Sequence, residues 1–172
     1  ARTIAELARS IDASGKVTFA LADSDSQERL YGFKVGDKTL TSRTLDEVLP
    51  PFRQLLSTDS AADVSIEVAP LLDAVGRVAL VTDKTVPLRL NFENNKLQLE
   101  AGTGEEAQAT EELDIEFVGE GINIAFNPQY LTDGLQALNT PFVQFDFTGA
   151  SKPAVLSGKH EAQGARDESY KY

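Results

Sequence analysis

The run Ile122–Leu138, INIAFNPQYLTDGLQAL, constrains this chain more than any other stretch. Its opening residues alternate: Ile122, Ile124 and Phe126 share one side, Asn123 and Ala125 the other, as in a half-buried strand. Asn127 then predicts a helix N-cap, and Pro128 the first helical position, where a missing N–H costs nothing. Leu131, Leu135 and Leu138 follow at i, i+4 and i+7, which makes one buried stripe. Tyr130 falls off that stripe and stays near the strand-to-helix corner. Two readings of it are open: a ring capping the core edge with its hydroxyl in water, or a flat contact for a partner peptide.

The same patterns organise the rest of the chain. Ile4, Leu7, Ala8 and Ile11 predict an amphipathic helix over about Arg2 to Ile11, with Arg2 and Arg9 sharing another face. Strand-like runs follow at Lys16–Leu21, Leu30–Val35 and Lys38–Leu45, and Ser57 to Ala62 reads as a linker. Val64, Ile66 and Val68 alternate as a strand, and Pro70 is expected to open a helix whose stripe is Leu71, Leu72, Val75, Val78 and Ala79. Further strands are expected at Leu88–Phe92, Lys96–Ala101, Ala109–Val118, Phe142–Thr148 and Pro153–Ser157. At an offset of 127 residues, Ile4 meets Leu131, Ala8 meets Leu135 and Ile11 meets Leu138, so a helix-plus-three-strands unit recurs faintly. The repeat predicts an α+β fold with helices on one side of antiparallel sheets. It divides the chain into residues 1–61, the back half of one domain, and residues 62–172, a more complete second one. On that alignment the chain stops inside its final strand, Ala165–Tyr172, and the parent protein is expected to be longer at both ends.

The chemistry of catalysis is thin. His160 is the single histidine and there is no cysteine, so neither a thiolate metal site nor a His/Cys constellation can form. Glu112, Asp114 and Glu116 alternate with Leu113, Ile115 and Phe117, the pattern of the solvated side of a two-faced strand rather than an acid–base pair. Gly102-Thr103-Gly104 lies between strands and lacks the helix start that a phosphate loop needs. No catalytic residue, metal or cofactor is expected. The net charge of -11 disfavours nucleic acid and anionic membranes on average, while leaving room for a local basic face.

Five passages together resemble the bacterial sliding-clamp family, the β subunit of DNA polymerase III. They are ARTIAELARSI, LPPFRQLL, APLLDAVGRVALVTDKTVPLRL, KLQLEAGTGEEAQATEELDIEFVGEGINIAFNPQYLTDGLQAL and TGASKPAVLSG. The resemblance covers nearly all 172 residues, matching the back half of the family's second domain and most of its third. It implies the DNA-clamp fold, in which two subunits close into a homodimeric ring with helices lining a channel around duplex DNA. The implied protein is a bacterial cytoplasmic, nucleoid-associated processivity factor: non-catalytic, without cofactor or membrane partner.

By the same resemblance, Arg2, Arg9 and Arg77 match channel-lining positions; for Arg2 and Arg9 a plainly solvated helix face is the alternative. Pro50, Gln54, Leu55, Thr85, Asn127, Tyr130, Ser151 and Pro153 match a groove that receives linear peptides from the replicative polymerase and the clamp loader. Gln54 stands where some relatives carry arginine, and Thr85 where phenylalanine occurs. Enclosure can replace affinity, so an acidic ring with few cations still acts on DNA without adding phosphate contacts that slow it. The competing reading is a non-catalytic β-rich protein-interaction module that never meets DNA.

Overall fold

A computed structural model describes residues 9, 15–22, 30–43, 48, 51–52, 56, 62–81, 86–102, 107–147, 149 and 153–172. The chain divides into two compact units, Ala1–Pro50 and Pro51–Tyr172. In the first, β1 (Val17–Leu21), β2 (Leu30–Val35) and β3 (Lys38–Arg43) form a sequential antiparallel sheet. Gly36, at φ 55°, permits the two-residue turn between Val35 and Lys38. Phe19 and Phe33 face each other across β1 and β2 with ring centres 4.9 Å apart. Of the helix expected over Arg2 to Ile11, only Arg9 is described; it is helical and exposed.

The second unit runs β4 (Ala62–Glu67), α1 (Val68–Val78), a 3-10 turn (Ala79–Val81), β5 (Leu88–Glu93), β6 (Lys96–Gly102), β7 (Gln108–Asp114) and β8 (Glu116–Val118). It continues with β9 (Ile122–Phe126), α2 (Pro128–Leu138), β10 (Phe142–Phe147), β11 (Ala154–Lys159) and β12 (Arg166–Lys171). Its strands form two antiparallel sheets, in the orders β12-β11-β10-β4-β8 and β7-β6-β5-β9. The strands β10-β11-β12 are a sequential meander like β1-β2-β3, in keeping with the faint repeat in the sequence. The helices pack against each other, α1 also against β4, β6 and β7, and α2 against β11.

The core follows from the two periodicities. Leu88, Leu90 and Phe92 on β5 and Leu97, Leu99 and Ala101 on β6 are buried at every second residue. Leu71, Val75 and Val78 of α1 join them in the core, and Leu131, Leu135 and Leu138 of α2 complete it from the side of β11. Where the sheets meet, Phe92 packs on Phe145 and Phe147 with ring centres 5.8 and 5.1 Å away, and Phe117 and Phe126 extend the cluster.

Three sequence expectations are corrected. The single strand Ala109–Val118 is two strands in different sheets, broken at buried Ile115. Asn95 directs the break: its carbonyl accepts from Ile115 N–H at 2.9 Å, and its side-chain oxygen accepts from Phe117 N–H at 3.2 Å. Asn94 and Asn95 take φ of 53° and 60°, the left-handed turn that asparagine tolerates between β5 and β6. Second, α1 begins at Val68 rather than at Pro70. Proline is accepted in the first turn because N–H groups there have no intrahelical partner. Val68 thus belongs to the helix, its N–H donating to Pro141 O at 2.8 Å, and its buried stripe is Val68, Leu71, Ala74, Val75 and Val78. Leu72 and Ala79 are only partly buried. Third, β11 runs to Lys159, two residues beyond the expected strand end.

Candidate functional site: an aromatic face on helix α2

The N-terminus of α2 is built as its sequence dictates. Asn127 Oδ1 accepts from the backbone N–H of Gln129 at 2.9 Å and of Tyr130 at 3.3 Å, and Pro128 fills the first turn. Thr132 Oγ1 donates to Pro128 O at 2.9 Å, and Gln129 Nε2 donates to Asp133 Oδ1 at 2.8 Å, one turn on. These bonds fix the first two turns, and Tyr130 projects from them 65% exposed. The cap therefore presents a large aromatic surface on a rigid base.

Tyr172 joins this face from the far end of the chain. Its backbone exchanges two hydrogen bonds with Leu156 of β11, at 2.8 and 2.9 Å, and its ring lies over Gly134 of α2. Burial pushes the Tyr172 phenol above its ordinary value; Asp133, then Tyr170 and Tyr130, act in the same direction. Four side chains, Tyr130, Asp133, Tyr170 and Tyr172, thus form one partly apolar, partly acidic neighbourhood. Among them only Tyr130 stands out in the sequence as a site residue. The available signal for the others is Gly134, an isolated glycine inside a helical pattern, which marks a close approach.

The close approach makes a test. A Cβ on Gly134 would lie 2.5 Å from Tyr172 Cδ1 and 2.9 Å from Cγ, an atom too near the backbone to swing aside. Alanine gains about 1 kcal/mol of helix propensity, but overpacking costs about 1–3 kcal/mol, so Gly134→Ala is expected to expel the ring. A raised phenol pKa stabilises the fold below the unfolded value near 10, and that stabilisation is lost as pH rises through the folded value. Ultraviolet titration should show Tyr172 ionising above the ordinary range in the parent chain and returning toward it in Gly134→Ala.

The other expected site residues divide clearly. Pro153 is exposed just before β11. Pro50, Gln54, Leu55, Thr85, Ser151 and Arg2 lie outside the described residues. Arg77, in the last turn of α1, is forked onto Glu111 of β7: Nε meets Oε1, and Nη2 lies 2.7 Å from Oε2. The pairing holds the Glu111 carboxyl below its usual range and raises Arg77. Arg77 remains exposed, but its charge is already matched. Glu111 opposes Leu99 in the ladder, so it is a charge in the apolar phase of β7, an edge strand. Among the described residues no carboxylate or histidine group is arranged to hold a metal ion, and no helix is long and apolar enough to cross a membrane.

A family model described as the DNA polymerase III beta subunit, C-terminal domain, matches residues 53–169. The beta sliding clamp of Streptomyces coelicolor is 41% identical over all 172 residues of this chain, which cover 46% of that relative. A crystal structure of the DNA polymerase sliding clamp from Pseudomonas aeruginosa superimposes with a TM-score of 0.73 at 27% identity, over 93% of this chain and 43% of that one. A second Pseudomonas aeruginosa clamp, bound to griselimycin, gives 0.72 at 26% identity over 93% of this chain and 42% of that one. The chain spans less than half the length of these relatives.

Proposed function

Because this chain belongs to the DNA polymerase III beta subunit family, with residues 53–169 matching its C-terminal domain, we propose that it serves in a ring-shaped sliding clamp. The ring encloses duplex DNA as a homodimer, tethers the replicative polymerase, and catalyses nothing itself. The observation that carries this reading is the continuous 41% identity across the whole chain to a protein named as a beta sliding clamp. Enclosure accounts for an acidic protein acting on DNA, since a ring needs few phosphate contacts to be retained. Arg2, Arg9 and Arg77 are assigned to the channel side, with Arg77 contributing a dipole with Glu111 rather than a free charge. Residues 1–61 and 62–172 are assigned to two successive clamp domains, in a bacterial cytoplasm.

The face bearing Asn127 and Tyr130 is assigned to short linear peptides of polymerase and clamp-loader subunits, together with Pro50, Gln54, Leu55, Thr85, Ser151 and Pro153. A fixed, exposed tyrosine gives broad apolar contact with a polar tip and few rotors to freeze, the profile of an interface anchor. Griselimycin is bound to the Pseudomonas relative, whose fold this chain shares. The test titrates a fluorescent polymerase-tail peptide against the full-length protein. Tyr130→Ala is expected to weaken binding by about 1–3 kcal/mol, and unchanged affinity in a Tyr130→Ala, Leu55→Ala double variant would remove the assignment. For the ring, retention on nicked circular DNA and release on linearisation is the expected result; indifference to linearisation would favour an ordinary interaction module.

A further inference from the structure

A second recess lies away from α2, where the chain crosses between the sheets. Its volume is about 450 Å³, within the range of small-ligand pockets. Pro70 of α1, Leu113 at the end of β7 and Phe142 of β10 supply its apolar lining. Glu67, Asp114 and Glu116 also line it, and all three are exposed. One wall, Ala162, is pinned to the sheet: its carbonyl accepts from Ser65 Oγ at 3.0 Å and from Lys159 Nζ. The recess is thus held open by hydrogen bonds rather than by loop packing alone.

Charge selects the occupant. Two cations border it: Lys159, whose ammonium donates to Ala162 O, and Lys96, which lies opposite Asp114 in the ladder and is already paired with Glu112; the first-turn amides of α1 add partial positive charge. Three carboxylates outnumber them, so anions and nucleic acid are disfavoured. The carboxylates do not converge on one point, since no metal-holding group of acidic residues occurs among the described residues. A compact divalent ion therefore does not suit the site. An arginine does: its aliphatic stem can lie on Leu113 and Pro70, its planar guanidinium can stack on Phe142, and its fork can reach carboxylates at the rim.

We infer that this recess docks an arginine side chain of a basic peptide segment on a partner protein, at a place separate from the Tyr130 face. The probe is the tripeptide acetyl-arginyl-photoleucyl-arginine amide, irradiated with the full-length protein and mapped by mass spectrometry. The control replaces both arginines by citrulline, which keeps the shape and removes the charge. Crosslinks are expected within residues 65–70, 113–116 or 142, with a yield about tenfold lower for the citrulline peptide. Glu67→Gln with Glu116→Gln should lower it similarly; both side chains are exposed, and Glu67 makes no side-chain cap bond that the change would break. Tyr130→Ala should leave the yield unchanged, which keeps this outcome distinct from that of the polymerase-tail peptide. Equal yields from the arginine and citrulline peptides, or crosslinks centred on Tyr130, would overturn the inference.

Discussion

Arg166→Ala is expected to destabilise the unit Pro51–Tyr172 by about 3–5 kcal/mol. Arg166 on β12 reaches across β11 to Asp146 on β10; Nη1 donates to Oδ2 at 2.8 Å, and Nη2 lies 2.8 Å from Oδ1. The carboxylate is only 3% exposed and the guanidinium 27%, so little water can replace the fork. Removing the cation leaves a buried charge with its best partner gone, which costs far more than losing a surface ion pair. Removing both charges is a different matter. Asp146→Leu with Arg166→Met should recover most of the loss, because the desolvation penalty disappears with the attraction. Urea denaturation of the single and double variants checks this, and a double variant no better than Arg166→Ala would contradict it.

The second large effect is Phe92→Ala, expected to cost about 3–5 kcal/mol. Phe92 is fully buried on β5, and its ring meets rings from the other sheet, Phe145, Phe147 and Phe117. Truncation opens a cavity at the junction of two sheets. Neither can close over it without disturbing its own ladder, so little relaxation is available. Phe92→Leu keeps most of the volume and should cost markedly less. A double-mutant cycle with Phe147→Ala should give a coupling of about 0.5–1.5 kcal/mol beyond area burial. Strict additivity in that cycle would show that the rings contribute only as bulk.

How much of this was legible in the sequence depended on whether the deciding interaction is local. The α2 terminus was readable because Asn127, Pro128 and the leucine spacing act within four residues of one another. The position of Tyr130 followed from the same spacing. The break at Ile115 was not readable, since Leu113, Ile115 and Phe117 alternate without interruption. What divides them is Asn95, twenty residues upstream, brought alongside by the β5–β6 turn. The start of α1 is not fixed by Pro70, because proline is tolerated anywhere in the first turn and the helix begins two residues earlier, at Val68. Glu111 was overshadowed by Glu112, Asp114 and Glu116. Its signal is its phase, a charge on the side of β7 that carries Ala109 and Leu113. The packing of Tyr172 on Gly134 joins residues 38 positions apart through β11; Gly134 marks a close approach, but no local pattern encodes which residue makes it. Five of the eight groove residues lie outside those described; of the other three, Asn127 and Tyr130 form the capped corner that short-range chemistry specifies, and Pro153 is exposed just before β11.

Asn95, in the turn between β5 and β6 of one sheet, holds the entry to β8 of the other, its carbonyl accepting from Ile115 N–H and its side-chain oxygen from Phe117 N–H. A residue placed so works as a stitch through two sheets of cloth. Neither layer can slide along the other without tearing the same pair of threads. The two sheets of the unit Pro51–Tyr172 are thereby joined at a second place besides their shared cluster of phenylalanine rings.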